Sequence, residues 1–307
     1  MTNVFVDWLT YAALTVFAVA VICRVVAYLR TPVHLRWELF PLPHEAGQAR
    51  GGRSRLEVYE WWTKPSGHSL TGILGAMSLE MLFIRSLWEN NRPLWYRSFP
   101  FHMGLYLLGA FLGLLGIGAV AQVAGTAVGA DAGLSAARGL HYLTAGVGYL
   151  GLAAAIVGTM ALLHRRLTDE EIKRYTTSAD LFNLGFILVV LLLGLIVSLA
   201  ADRGFGQARD MAAGLLSFKR ATPGSGWVAL EVVATALLIA YIPCTHMSHF
   251  FMKFFTYHDV RWEDEPNAAG SRIEARTAKA LQYPVTWSAP HVKGDGRKTW
   301  HDAATKE

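Results

Sequence analysis

Long apolar blocks alternate with polar stretches along this chain. Five of the blocks reach the roughly 20 residues needed to cross about 30 Å of hydrocarbon. They run from Val6 to Tyr28, Phe101 to Val123, Gly139 to Leu163, Leu181 to Ala201 and Trp227 to Phe251, with Pro243 expected to kink the last. The pattern predicts an all-α integral membrane fold with five transmembrane helices.

Between the first two blocks lies a long polar stretch, Arg30 to Pro100, rich in Arg, Pro and Trp. Within it Leu70 to Trp88 has helical spacing, with apolar residues at Leu70, Ile73, Leu74, Met77, Met81 and Leu82. Glu80 and Arg85 interrupt it, and its unbroken apolar part is too short to span. It reads as an interfacial or partner-docking helix; the rival reading, a sixth span, would invert everything downstream. The loop HRRLTDEEIKRYTTSAD is highly charged, and Asp202 to Gly226 holds Gly, Ala and a few charges. The tail after Phe255 is polar, with Pro284, Pro290 and scattered Trp, and is expected to be disordered or ordered only against a partner. Four regions follow: 1–29 as a first membrane helix, 30–100 as a cytoplasmic docking segment, 101–255 as a four-helix membrane core and 256–307 as a cytoplasmic tail.

Composition agrees with this reading. Of the 307 residues 53% are hydrophobic and 17% charged, against about a quarter charged in soluble domains. The net charge of +5 would suggest nucleic acid in a soluble protein. Here Lys and Arg gather in the loops on one side of the bundle, as insertion requires. The positive-inside tendency makes that side cytoplasmic, in the cell's inner membrane, with the N-terminus outside and the C-terminus inside. The opening MTNVFVDWLT lacks a basic n-region and reads as a retained helix. Arg24 can snorkel to the interface. The two cysteines, Cys23 and Cys244, read as small core residues; with no CxxC pair, the chain cannot supply four thiolates to an iron–sulfur cluster.

Ionisable residues inside a membrane are costly, so each is a functional candidate. His102 opens the second span, and His246 and His249 close the fifth at the same side, so the three share a depth. A low-spin haem takes two neutral imidazoles on opposite faces of the porphyrin, and His102 with one of His246 or His249 fits that description. His246 and His249, three apart, can share a helix face; the one that does not ligate can bond a propionate or a partner. Gly109 and Gly113 form a small-xxx-small face that admits a flat cofactor or a second helix. The plainer alternative is a set of interfacial histidines beside ordinary packing glycines. At the opposite side His141 and Glu231 could take the protons released by quinol oxidation, or sit there as a headgroup-level histidine and a hydrated carboxylate.

Three segments carry a resemblance: FPFHMGLYLLGAFLGLLG, LLHRRLTDEEIKRYTTSADLFNLGFILVVLLLGL and LLIAYIPCTHMSHFFMKFFTYHDVRWEDEP. Over Phe99 to Pro266 the chain resembles the cytochrome b (gamma) subunit of respiratory nitrate reductase. It is still more similar to the membrane subunits of heterodisulfide-reductase-like and dissimilatory-sulfite-reductase-associated complexes. The most specific parts are FHxG, the basic HRRL loop with its TT and AD, and the Pro-x5-His ending. Trp37 to Tyr96, with PLPHE and EWWTKP, resembles the second group only.

The resemblance implies a five-helix cytochrome b bundle. It assigns haem b to His102 and His249, leaving His246 as a neighbour or alternative ligand. An outer haem in that family takes histidines where this chain has Leu112 and Glu231, so one haem is implied. A quinone site is implied near the start of the third span, where Arg138 and His141 lie. The implied function is electron transfer between the quinone pool and a cytoplasmic iron–sulfur subunit of heterodisulfide-reductase type. The rival functional class is a non-redox membrane anchor for a soluble reductase. A transporter is disfavoured by the scarcity of intramembrane carboxylates and of broken-helix repeats.

Overall fold

The computed structural model describes residues 3–31, 41–45, 54–65, 67–219, 224–257, 262–289 and 292–305. Trp37, one end of the stretch that resembles the second group, lies outside them, as does Pro290.

The helices in chain order are α1 (Asn3–Arg30), α2 (Leu70–Phe83), α3 (Arg85–Asn90), α4 (Arg92–Val123), α5 (Ser135–Thr168) and α6 (Glu170–Tyr175). They continue with α7 (Ser178–Ala201), α8 (Gly206–Leu216), α9 (Gly226–Tyr241), α10 (His249–Thr256), α11 (Arg272–Leu281) and α12 (Trp300–Thr305). Five of them, α1, α4, α5, α7 and α9, are long and apolar enough to cross a membrane; α9 counts with its continuation to Cys244. α2 is apolar but too short. The chain is all-α, with isolated bridges in place of sheets among the described residues.

Several boundaries differ from those expected. The α2 helix stops at Phe83 because Ile84 adopts a left-handed backbone conformation (φ 50°), and α3 resumes at Arg85. The α4 helix begins nine residues before Phe101, at Arg92: the Asn91 side chain caps it by accepting the Leu94 N–H at 3.1 Å, and Pro93 suits a first turn. The stretch 202–226 contains α8, whose N-terminal amides at Gln207 and Ala208 bond the Asp202 carboxylate at 3.1 and 3.0 Å. The tail is not without structure: it contains α11 and α12.

The chain forms two compact units, one of residues 1–25 with 78–252 and the other of 26–77 with 253–307. In the first, neighbouring helices pack in the order α4, α5, α7, α9, with α8 closing on α4. Phe101, Leu115, Leu152, Ala155, Ile156, Ile187 and Leu191 form the core of the α4–α5–α7 layer. A second cluster, Val6, Val197, Met211, Val228 and Val233, brings α1 against α7, α8 and α9. The outer faces are apolar: Ile22, Ile117, Val189 and Ile196 are each about 60% exposed, which suits lipid and not water. The same fact corrects the expectation for Cys23 and Cys244, which lie exposed. In a bilayer a small apolar residue gains nothing by being covered with protein.

The closest helix approach is between α4 and α5. A Cβ on Gly104 would overlap the Ala155 backbone, and one on Gly158 would overlap the Phe101 backbone. The two helices therefore touch main chain to main chain over the turn that carries His102. The register continues in step, Leu108 against Gly151 and Phe111 against Gly148.

In the second unit, Leu42–Glu45 folds against the start of α2: the Ser69 N–H bonds the His44 carbonyl at 2.7 Å. Arg272 on α11 binds Glu263 and Glu265. Val285 is buried beside the Pro284–Thr299 bridge.

Candidate functional site: paired histidines

His102 lies three turns inside α4, and its ring orientation is set by its own helix. Nδ1 bonds the Ser98 carbonyl at 2.9 Å, with the Ser98 hydroxyl at 3.1 Å. A carbonyl only accepts, so Nδ1 carries the proton and Nε2 keeps a lone pair. This is the orientation that metal-ligating histidines adopt.

His249 is delivered by a break in the helix. Pro243 ends the regular part of the fifth span, which passes through a 3₁₀ turn, Ile242–Cys244, to an extended Thr245. Thr245 then caps a second 3₁₀ turn, His246–Ser248, accepting the Met247 N–H at 3.1 Å, and α10 starts at His249. Nδ1 of His249 faces the His246 carbonyl at 3.4 Å, as Nδ1 of His102 faces that of Ser98. Arg24, expected to snorkel, instead donates from NH1 to the Ser248 hydroxyl at 2.9 Å and so ties α1 to the turn before His249.

The two rings meet. His102 and His249 have centroids 6.0 Å apart with 67° between their planes. A metal–imidazole bond of about 2 Å on either side, added to the ring radius, separates two trans imidazoles by about 6 Å. Sequence spacing alone left His246 and His249 as equivalents on one helix face. The 3₁₀ break separates them: His246 turns to α7, with Nε2 3.6 Å from Asp180 and 3.5 Å from the Asn183 amide. Asn183 also accepts the Tyr241 hydroxyl at 2.7 Å, and Asp180 caps α7 through Thr177 and lies 3.6 Å from Arg166.

Gly109 and Gly113 suit either a flat cofactor or a second helix, and among the described residues no helix packs against either. A Cβ at Gly109, Gly113 or Gly116 would meet nothing within 4 Å, whereas Gly104 and Gly118 are packed tightly on the other face. At 100° per residue, Gly109 and Gly113 fall within about 20° of His102 around the helix. An open strip without Cβ atoms therefore runs along α4 from Gly109, two turns beyond His102 and on its side of the helix. Among the described residues α9 packs on α7 and makes no extensive contact with α4.

The other end of the bundle holds a residue that the sequence reading passed over. Arg209 on α8 is 2% exposed. It donates to the Val128 carbonyl at 2.9 Å and the Gly204 carbonyl at 3.3 Å, and its NH2 lies 3.4 Å from His141 Nδ1. Its stem packs on Gly118. Burial lowers its pKa from the ordinary arginine value, partly offset by Asp210 and Asp202. The missed signal was an arginine between the small residues of GQARDMAAG. Arg138 is exposed a turn before His141.

Glu231 does not join this group. Its Oε1 accepts the Thr235 hydroxyl at 2.9 Å, and its Oε2 is buried with no hydrogen-bond partner among the described residues. It packs at Gly194, beside Leu152. Leu152 is eleven residues along α5 from His141, about 16 Å of helix. Leu112, at the other outer-haem position, is 48% exposed.

The nitrate reductase gamma subunit family matches residues 85–263, more than half of the chain and all of the paired-histidine site. The chain belongs to that family, whose members are membrane cytochrome b-type electron-transfer subunits of multi-subunit redox complexes. No curated protein and no solved structure gives a match.

Proposed function

We propose that this chain holds one haem b between His102 and His249 and passes electrons between the quinone pool and a cytoplasmic iron–sulfur subunit of heterodisulfide-reductase type. The observation that carries the proposal is the 6.0 Å separation of the two rings. Two further features support it: Nδ1 of His102 is occupied by Ser98, and the Gly109–Gly113 strip beside His102 would be filled by any Cβ. When bound, haem supplies a one-electron couple that two imidazoles hold low-spin.

The protein's own residues do the rest. His102 and His249 would hold the haem iron through Nε2, with Nδ1 turned to the Ser98 and His246 carbonyls. Arg24 and Thr245 fix the turn that presents His249. Gly104 and Gly158 lock α4 on α5 at this depth. With Leu112 and Glu231 at the outer positions, the set of residues supports a single haem.

The quinone site follows from distance. His141 and Arg209 pack near Gly118, sixteen residues from His102 along α4, about 24 Å. Electron transfer weakens exponentially with separation, so a quinone there would exchange electrons with the haem slowly. Glu231 is nearer. Its carboxyl meets Gly194, which also lies against Leu152; the neighbouring Gly151 meets Leu108, six residues from His102 or about 9 Å along the axis. Its unpartnered Oε2 suits a group that takes a proton as a quinol is oxidised. Glu231 is therefore the proton acceptor in this proposal; His141, Arg138 and Arg209 shape the outer surface. The positive-inside tendency places the paired histidines toward the cytoplasm, where the iron–sulfur partner docks.

The test is stopped-flow reduction of the haem by a soluble quinol in the purified protein. The expected result is haem reduction in the parent that depends on quinol concentration. A haem that dithionite reduces but no quinol does would contradict the quinone assignment.

A further inference from the structure

The PLPHE stretch plays no part in the electron path, yet it is tightly held. The buried Glu45 carboxylate accepts the Leu42 and Arg55 N–H groups, each at 2.9 Å, and the Ser54 hydroxyl at 3.4 Å. A Cβ on Gly72 would overlap the Pro43 carbonyl. Glu45 and His68 form an antiparallel bridge. These constraints bring two imidazoles together: His44 and His68 stack with centroids 5.2 Å apart and 23° between planes. Asp264, 220 residues from His44, completes the group, with Oδ2 bonded to His44 Nε2. The side chains of His44 and Asp264 are 4% and 8% exposed. One ligand atom from each of the three residues lies within 4.8 Å of the other two.

We propose that His44, His68 and Asp264 form a binding site for a divalent first-row transition ion of the zinc type, clipping the segment after α1 to the segment after α10. Two imidazoles and a carboxylate are a borderline N₂O donor set. Such a set suits zinc and its neighbours, whereas calcium and magnesium take all-oxygen sites. All three groups belong to the unit formed by residues 26–77 and 253–307, and none lies in a membrane span. Without the ion, His44 Nε2 and Asp264 share a hydrogen bond; an ion at Nε2 would take its place, with the ring proton carried on Nδ1. A tetrahedral site with bonds of about 2.0–2.2 Å has edges of about 3.4 Å, so ligand atoms that lie within 4.8 Å of one another need only a small closure. His68 is exposed and can turn to do this, leaving the solvent side for a water as fourth ligand. Glu45, saturated by backbone and hydroxyl donors, is a positioning residue that holds the loop of His44.

The alternative is a His–Asp hydrogen bond with His68 merely stacked on it. The two are separated by titrating the full-length protein in detergent, after chelator treatment, with Zn²⁺ against a chromophoric zinc indicator. Co²⁺ serves as a spectroscopic probe. The expected result is one site per chain, with tetrahedral ligand-field bands for Co²⁺. Affinity should fall roughly 100-fold in His68→Ala and in Asp264→Asn and stay unchanged in His301→Ala. Circular dichroism and gel filtration check each fold. Exposed His68 can be replaced without opening a buried site, so it decides the matter if Asp264→Asn fails to fold. No binding at stoichiometric zinc, or parent-like affinity in His68→Ala, would overturn the proposal. The readout is independent of haem, so its failure leaves the electron-transfer reading untouched.

Discussion

Arg24 of the first membrane helix donates a 2.9 Å hydrogen bond to Ser248, the residue before His249. Ser248 is 3% exposed, so this bond is made inside the bundle. It joins α1 to the 3₁₀ turn His246–Ser248 and so helps to set the position of His249. A charged–neutral bond of this kind contributes about 1.5–3 kcal/mol.

Arg24→Leu should therefore loosen His249 without removing it. The expected outcome is a chain that still assembles, with altered g-values of the low-spin ferric haem in electron paramagnetic resonance and faster haem loss on dilution. A spectrum and a loss rate equal to the parent's would show that α1 has no hand in placing His249.

The glycines at the α4–α5 contact and those on the open face of α4 have different functions. Gly158→Leu should disrupt the main-chain contact with Phe101 and cost several kcal/mol, since overpacking alone costs about 1–3; a large fall in thermal stability in detergent is expected. Gly113→Leu adds its side chain to open space, so helix content and thermal stability should persist while haem content falls. Full haem occupancy in Gly113→Leu would show that the open strip faces lipid alone.

Glu231→Gln tests the proton acceptor. Haem content should be unchanged, while quinol-driven haem reduction slows roughly a hundredfold or more, in the range of general-base effects. His141→Ala should leave that rate within about twofold of the parent, because His141 stands far along the bundle from the haem pair. The reverse pattern would move the quinone to the outer end.

Arg209→Leu leaves the Val128 and Gly204 carbonyls without their donor. With each buried unsatisfied group costing about 1–3 kcal/mol, thermal stability should drop markedly while the haem spectrum of the surviving protein stays normal. Arg209→Lys should rescue only in part, since an ammonium does not reproduce the guanidinium fork. A stable Arg209→Leu protein would mean that water satisfies those carbonyls.

The spans were legible because the hydrocarbon slab imposes a length, and blocks such as Leu181–Ala201 meet it with no charge. His102 and His249 were legible for a related reason: an ionisable side chain near a span demands an explanation. What sequence spacing could not show was the choice between His246 and His249. That choice depends on two 3₁₀ turns after Pro243, and helical periodicity assumes they do not exist. The early start of α4 was hidden by Arg92 and Arg97, whose charge reads as loop although Asn91 caps a helix there. Arg209 was hidden in the opposite way. Its segment looks like a polar loop, and only the backbone carbonyls of Val128 and Gly204, invisible in any sequence, show where its charge goes. The His44–His68–Asp264 group needed a contact across 220 residues, which no local pattern announces.

The central claim is one haem b held by His102 and His249. Its most direct test is a pyridine-haemochrome assay on the purified chain, repeated for His102→Ala and His249→Ala with His246→Ala alongside. The account predicts one haem b per chain, lost in the first two variants and kept in the third. Two haems per chain, or occupancy that survives His249→Ala and disappears in His246→Ala, would contradict it.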